Sequence, residues 1–172
     1  ETLAQYEMPA KEGRDNSGGG YFHLDHKSRP IIAPNDNSIK ILDVVETGGK
    51  PAWKVVENYP LGNTLPKGDF IHDVMPDWSG QKLWFVTTGN HIGYRDQADG
   101  SFHTYQFPDK DEVVQNSFAV AKDGVYMVST HALYRFEVDP KTRKPVPNWR
   151  EAYDRGKDQK PGTLSHGSGT SP

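Results

Sequence analysis

The sequence repeats one arrangement of four short strand patterns three times, and this repeat constrains the fold more than any other feature. In each repeat, short runs of apolar and β-branched residues are separated by Asp, Asn, Gly and Ser, which form the tight turns of β-hairpins. Ile31, Leu83 and Val125 hold corresponding positions, 52 and 42 residues apart. Four-stranded units at a spacing of about 40–50 residues are typical of β-propeller blades.

We therefore predict that the whole chain is all-β and forms part of a β-propeller, with about three four-stranded blades. The blades are expected at about residues 20–60, 69–108 and 116–153, with residues 1–9 as the outer strand of a preceding blade and residues 157–172 as a loop leading into a following one. Propellers typically close with four to eight blades. A second polypeptide, either a nicked remainder of the same precursor or another subunit, is thus expected to complete the ring. The alternative is a small independent all-β domain.

Composition supports an all-β chain and argues against several classes of partner. The 172 residues include 17 Gly and 13 Pro, and 11% are aromatic, which is typical of a turn-rich β protein and not of a helical bundle. The net charge is −3, from 20 Lys and Arg against 23 Asp and Glu, without a basic stripe. Nucleic acid and acidic membrane surfaces are therefore not expected as partners. No apolar run approaches the ~20 residues of a membrane span.

Cysteine is absent, which excludes disulfides and thiolate chemistry. The chain opens at Glu1 without a methionine, and its turns are rich in Gly, Asn and Asp. These features predict an exported bacterial protein, secreted or periplasmic. Cleavage within a cytosolic precursor is the alternative.

Five segments share the sequence pattern of a known group of proteins: 75–87, 115–120, 131–136, 149–156 and 165–172. They resemble bacterial propeller proteins described as quinoprotein-like or SMP-30-like, and the resemblance covers roughly residues 20 to 172. It implies a longer propeller that continues past Pro172, and it carries no catalytic residues to transfer. The Trp-rich docking motif of quinone-dependent alcohol dehydrogenases is not visible, so no quinone cofactor is expected.

The placement of the seven histidines suggests a site. Alignment of the second and third repeats puts His91 and His131 at the same hairpin position, where the first repeat has Ser38. His72 lies in an innermost strand, and His166 lies in the loop leading to the next blade. These four imidazoles are expected to surround one mouth of the central funnel.

A ring of imidazoles suits two kinds of chemistry. It can hold a transition metal ion (Fe, Cu or Zn) with open positions for substrate. One or two histidines can instead act as general acid and base near neutral pH, with Asp25, Asp73 or Asn116 orienting an imidazole. The third alternative is that the histidines are ordinary residues of surface turns.

The leading functional prediction is part of an enzyme that acts on a small organic molecule in the central funnel. His72, His91, His131 and His166 would be the catalytic groups or the metal ligands, and Asp73 and Asn116 would orient them. A hydrolase, a lyase and a metal-dependent oxidoreductase are equally compatible with these residues. The alternative is a non-catalytic propeller that binds a protein or a glycan through its loop face.

Overall fold

The structure is a computed structural model that describes residues 2–8 and 21–157. Twelve strands form three four-stranded antiparallel sheets, and in each sheet the strands follow one another in chain order. No helix occurs among the described residues. The fold is therefore all-β and builds part of a β-propeller, as the repeat predicts. Each sheet is called a blade below.

The first blade contains β1 (His23–Leu24), β2 (Pro30–Ile32), β3 (Ser38–Thr47) and β4 (Lys50–Pro60). Its outer hairpin, β3 and β4, is much longer than its inner strands. Gly48 and Gly49 close this hairpin with positive φ angles of 62° and 77°, a conformation that glycine adopts without a steric penalty.

The second blade contains β5 (Ile71–Pro76), β6 (Lys82–Thr87), β7 (His91–Asp96) and β8 (Phe102–Gln106). The third contains β9 (Ala119–Ala121), β10 (Gly124–Val128), β11 (Ala132–Val138) and β12 (Pro145–Ala152). The first strands β1 and β5 lie next to each other, and so do the fourth strands β8 and β12. Contacts among all three blades occur at the first strands, where His23 and Ser117 meet Asp73 and Tyr21 meets Asn116. We therefore call the first strands the inner strands, as around the central channel of a propeller.

Two apolar layers join the blades. Ile31, Ile39 and Ile41 of the first blade pack against Leu83 and Phe85 of the second. On the opposite face of the second blade, another layer joins it to the third; this layer includes Trp84, Val86, Tyr94, Val125, Met127, Tyr134 and Phe136. Successive residues of a strand point to opposite faces of the sheet. The consecutive buried residues of β6 therefore pack alternately into one layer and the other.

Two of the segments predicted from the sequence stay predictions. Residues 2–8 form no strand in the structure, and their assignment to a preceding blade stays a prediction. The expected connecting loop at residues 157–172 lies outside the described residues except for residue 157. The blade boundaries predicted from the sequence and the second polypeptide also stay predictions.

Candidate functional site

Side chains from all three blades meet at the inner strands. We call this group the inner-strand cluster; its members are Tyr21, His23, His72, Asp73, Asn116 and Ser117. Tyr21 and His23 come from the start of the first blade, and His72 and Asp73 from β5. Asn116 and Ser117 come from the segment before β9.

Asp73 is the buried anion of the cluster, with an exposed fraction of 1%. Its Oδ2 lies 3.3 Å from Nε2 of His23 and also accepts a hydrogen bond from the hydroxyl of Ser117. Its Oδ1 accepts the backbone N–H of Val74 at 2.8 Å. This carboxylate therefore links the three blades and contacts the His23 ring. Its predicted role in orienting His72, His91, His131 or His166 stays a prediction.

His72 occupies an irregular position in β5. Ile71 pairs with Thr87 and Asp73 pairs with Val86, so His72 is the extra residue of a β-bulge. A bulge changes the direction of a side chain relative to the regular strand, and bulges are common next to functional sites.

The bulge places the His72 ring against Tyr21. The ring centroids are 5.4 Å apart at an interplanar angle of 60°, and the hydroxyl of Tyr21 donates to Oδ1 of Asn116 at 3.2 Å. Nε2 of His72 is buried and has no hydrogen-bond partner within the described part of the chain. A buried polar atom without a partner is uncommon and calls for an explanation, such as a ligand group at this position.

His91 has a different environment from His72. Its ring is buried, and Nδ1 lies 2.8 Å from Oδ2 of Asp69. Asp69 also accepts hydrogen bonds from the hydroxyls of Thr87 and Thr88 and from the backbone N–H of Gly89. His91 thus belongs to a network that ties the β6–β7 hairpin to Asp69, two residues before β5.

The sequence alignment of His91 with His131 was wrong by one residue. In each blade, the backbone N–H of the residue after the fourth strand donates to a backbone carbonyl in the hairpin between the second and third strands. The three donor–acceptor pairs are Leu61 with Asn37, Phe107 with Asn90, and Tyr153 with His131. His131 therefore corresponds to Asn90, whereas Ser38 does correspond to His91, as expected. The reason is hairpin length: five residues separate the paired Val86 and Ile92, but four separate Val128 and Leu133.

His131 has its own contacts in the third blade. Its Nδ1 lies 3.0 Å from Oγ1 of Thr130, and its ring lies close to the carboxylates of Asp109 and Glu112. His166 lies outside the described residues. A joint site of His72, His91, His131 and His166 stays a prediction. Tyr21 contacts both His72 and Asn116, and His23 contacts Asp73.

Sequence reasoning missed two buried acids, Asp69 and Glu112, with exposed fractions of 5% and 2%. The two acids hold equivalent positions before their blades. The residue after Asp69, Phe70, exchanges hydrogen bonds with Thr88, and the residue after Glu112, Val113, exchanges the same hydrogen bonds with Thr130. Oε1 of Glu112 accepts the hydroxyls of Ser129 and Tyr134.

Glu112 also changes the acidity of its neighbour. Burial raises the pKa of Tyr134 to about 12, and the hydrogen bond to Glu112 acts in the same direction. The hydrogen bond from Arg150 opposes this rise. Tyr134 is thus held in its protonated form, as a donor to the buried acid.

An exposed tryptophan marks a second part of the surface. Trp78, in the turn between β5 and β6, is 64% exposed. It lines a cleft of about 430 Å³ between the second and third blades and another of about 550 Å³ beside His23 and Leu24.

Comparison with known proteins shows similarity to propeller-like structures only at low sequence identity. No family model matches the chain, and no curated protein matches it. The chain is similar to the extracellular domain of BT4673 from B. thetaiotaomicron, with a TM-score of 0.47 and 13% identity over 74% of this chain. It is also similar to BamB from Moraxella catarrhalis, with a TM-score of 0.49 and 12% identity over 76% of this chain.

The chain spans 16% and 35% of the lengths of those two chains. Neither of these structural similarities indicates an activity for this chain. The secreted or periplasmic location stays a prediction. Within the described residues, no helix is long and apolar enough to cross a membrane.

Proposed function

We propose that the chain is part of a propeller enzyme that binds a small organic molecule at the inner-strand cluster and transfers a proton there. The observation that carries the proposal is the buried Nε2 of His72, which has no partner among the described residues. A ligand carbonyl or hydroxyl at this position would satisfy that nitrogen. The free energy that a buried unpaired polar group costs, about 1–3 kcal/mol, would then be recovered on binding.

The acid–base group of the proposal is His23. Its Nε2 faces the buried carboxylate of Asp73, so its Nδ1 is the nitrogen left to exchange a proton with a substrate. A carboxylate that fixes one imidazole nitrogen selects the tautomer and stabilises the imidazolium that forms during catalysis. The side chain of His23 is 28% exposed, so a small molecule can reach it.

Tyr21 and Asn116 would orient the substrate. The hydrogen bond between them crosses from the first blade to the third, and it lies beside the His72 ring. Positioning a substrate against preformed groups supplies much of the rate enhancement of many enzymes. A proton-transfer reaction of the hydrolase or lyase type fits these groups.

A metal shared by His72, His91, His131 and His166 is not part of this proposal. Nδ1 of His91 is already held by Asp69 in the hairpin, and His131 lies with Asp109 and Glu112. The proposal therefore uses His72 and His23 alone among the histidines.

The alternative function, a non-catalytic scaffold for a protein or a glycan, is favoured by Trp78. Large exposed aromatic side chains beside clefts are frequent anchors of binding surfaces. A site at Trp78 would use the clefts on either side of it, and it would not need the unpaired nitrogen of His72.

Ligand-observed saturation-transfer NMR on a mixture of small organic acids, lactones and sugars would test the proposal. We expect signals with the wild-type chain that disappear in His72→Phe, which keeps an aromatic ring but removes Nε2. His103→Phe is the matched control, because His103 stacks on Tyr94 in the outer part of the second blade. Binding that survives His72→Phe and disappears in Trp78→Ala would favour the scaffold and contradict the proposal.

If fragments bind, turnover of the bound compounds tests the proton transfer. His23→Gln should abolish turnover while leaving the binding signals, because Gln cannot act as a base. Equal turnover by the wild type and His23→Gln would exclude His23 as the acid–base group.

A further inference from the structure

A second group of ionisable side chains lies away from the inner-strand cluster, at the β10–β11 hairpin. Asp109, Glu112 and His131 each offer one potential ligand atom, and these three atoms lie within 4.8 Å of one another. Among the described residues, this is the one group of three such side chains whose potential ligand atoms lie this close together. An imidazole with two carboxylates is a mixed nitrogen and oxygen set that suits a divalent transition metal.

Contacts outside the group hold Glu112 and His131 in place. Oε1 of Glu112 accepts the hydroxyls of Ser129 and Tyr134, and Nδ1 of His131 lies 3.0 Å from Oγ1 of Thr130. Each of the two side chains therefore keeps one atom, Oε2 and Nε2, for a ligand. Contacts that orient the ligands of a metal in this way raise the affinity of a site.

The two oxygens of the buried Glu112 carboxylate have different partners. Its side chain is 3% exposed, and the cation that pairs with Oε2 is Arg150, whose Nη2 lies at 3.9 Å. This separation is longer than a hydrogen bond. Oε2 thus has an ion-pair partner but no hydrogen-bond donor among the described residues. A metal ion at ligand distance would compensate its charge more closely than Arg150 does.

The second blade shows the contrast. There the equivalent acid, Asp69, receives hydrogen bonds on both oxygens, from Thr87, Thr88 and Gly89, and it also contacts His91. The residue equivalent to His131 is Asn90. The second blade thus gives its acid hydrogen bonds on both oxygens, whereas the described residues of the third blade give Glu112 hydrogen bonds on Oε1 only. The third blade also places a second carboxylate, Asp109, beside this acid and its imidazole.

We propose that Asp109, Glu112 and His131 bind one divalent transition metal ion, and that Zn²⁺ fits this set best. Three protein ligands leave the fourth position of a tetrahedral zinc site for water or another ligand. The ion would neutralise the two carboxylates and tie the loop at residues 109–112 to the β10–β11 hairpin. This site is independent of the proposed function at the inner-strand cluster.

Titration of the metal-free full chain with ZnCl₂ by isothermal calorimetry tests the proposal. We expect one ion per chain, and a loss of affinity of at least about 100-fold in His131→Asn and in Asp109→Asn, since changes behind the ligands alone cost 10–100-fold. His131→Asn installs the residue that the equivalent hairpins carry at Asn37 and Asn90, so the fold should tolerate it. His26→Asn, at an exposed turn, is the matched histidine control.

Thermal unfolding with and without ZnCl₂ gives a second measurement. Zinc should raise the Tm of the wild type and of His26→Asn by mass action, and it should leave the Tm of His131→Asn unchanged. The proposal is overturned if the wild type binds no zinc, or if both His131→Asn and Asp109→Asn bind it as tightly as the wild type does. Equal Tm values of wild type and His131→Asn without metal would show that the variant folds.

Discussion

Nδ1 of His91 and Oδ2 of Asp69 lie 2.8 Å apart, although 22 residues separate them in the sequence. Both side chains are more than nine-tenths buried. The contact joins the hairpin between the second and third strands of the second blade to the segment that leads into its first strand. The pair therefore holds the inner and middle strands of the blade in register.

Replacing Asp69 with Ala should lower the free energy of unfolding by about 3 kcal/mol, since it leaves the buried His91 and Thr87 without their acceptor. Urea unfolding followed by tryptophan fluorescence measures the change. Asp154→Ala is the control, because Asp154 is exposed and accepts a local hydrogen bond from the backbone N–H of Gly156. A cost below about 0.5 kcal/mol for Asp69→Ala, like that of an ordinary surface substitution, would contradict this role.

The sequence predicted the fold because hairpins are local features. Alternating apolar residues and turn residues lie next to one another in the chain, and they define three four-stranded units. The two buried acids could not be predicted in the same way. Asp69 and Glu112 lie in polar loops. The hydroxyl groups that donate hydrogen bonds to them lie 17 to 22 residues further along the chain.

The candidate site was predictable only in part. His72, Asp73 and Asn116 stand near the inner strands, so a shared location followed from the repeat. The bulge at His72 follows from the pairing of β5 with β6, which the sequence does not specify. The one-residue difference between the hairpins of His91 and His131 was equally hidden, because both sequences read as ordinary turns.

Gly93 is required by close packing in the centre of the second blade. A Cβ atom there would lie 2.4 Å from Cζ of Phe85 and 2.7 Å from the backbone carbonyl oxygen of His103. Gly93→Ala should therefore cost about 1–3 kcal/mol of stability by overpacking, measured by urea unfolding. Adding Phe85→Leu should not restore the wild-type stability, because the backbone oxygen remains; full recovery would contradict the explanation.

Arg143 controls the acidity of Asp99. The hydrogen bond from the Arg143 guanidinium, helped by those from Ser101, holds the pKa of Asp99 well below its ordinary value of 3.8. A carboxylate with a lowered folded-state pKa stabilises the fold above the unfolded-state value, and this contribution is lost as the pH falls below about 4.

Arg143→Gln should raise the pKa of Asp99 toward 3.8, as measured by the pH titration of its carboxyl ¹³C resonance. The same substitution should make the stability less dependent on pH below about 4. Arg155→Gln, at an exposed position, is the control and should leave the titration unchanged. An unchanged midpoint in Arg143→Gln would show that Arg143 does not set this pKa.

We expect copies of the chain to associate with one another through the face of the first blade that does not pack against the second blade. Phe22 is 60% exposed and lines a hollow with Leu42 and Trp53, and apolar patches of this kind favour association. Light scattering coupled to size-exclusion chromatography should give an average mass above the 19.3 kDa of the monomer, with a decrease in Phe22→Ser. A wild-type chain that stays monomeric at high concentration would contradict the expectation that further blades cover this face.

The ¹⁵N resonances of the histidine rings test the central claim most directly, because they report on Nε2 of His72 itself. On addition of a small organic compound that binds the chain, we expect the Nε2 resonance of His72 to shift as this nitrogen gains a hydrogen-bond partner. The Nδ1 resonance of His91, which is already held by Asp69, should stay in place. A His72 resonance that does not move when the compound is saturating would contradict a ligand site at the inner-strand cluster.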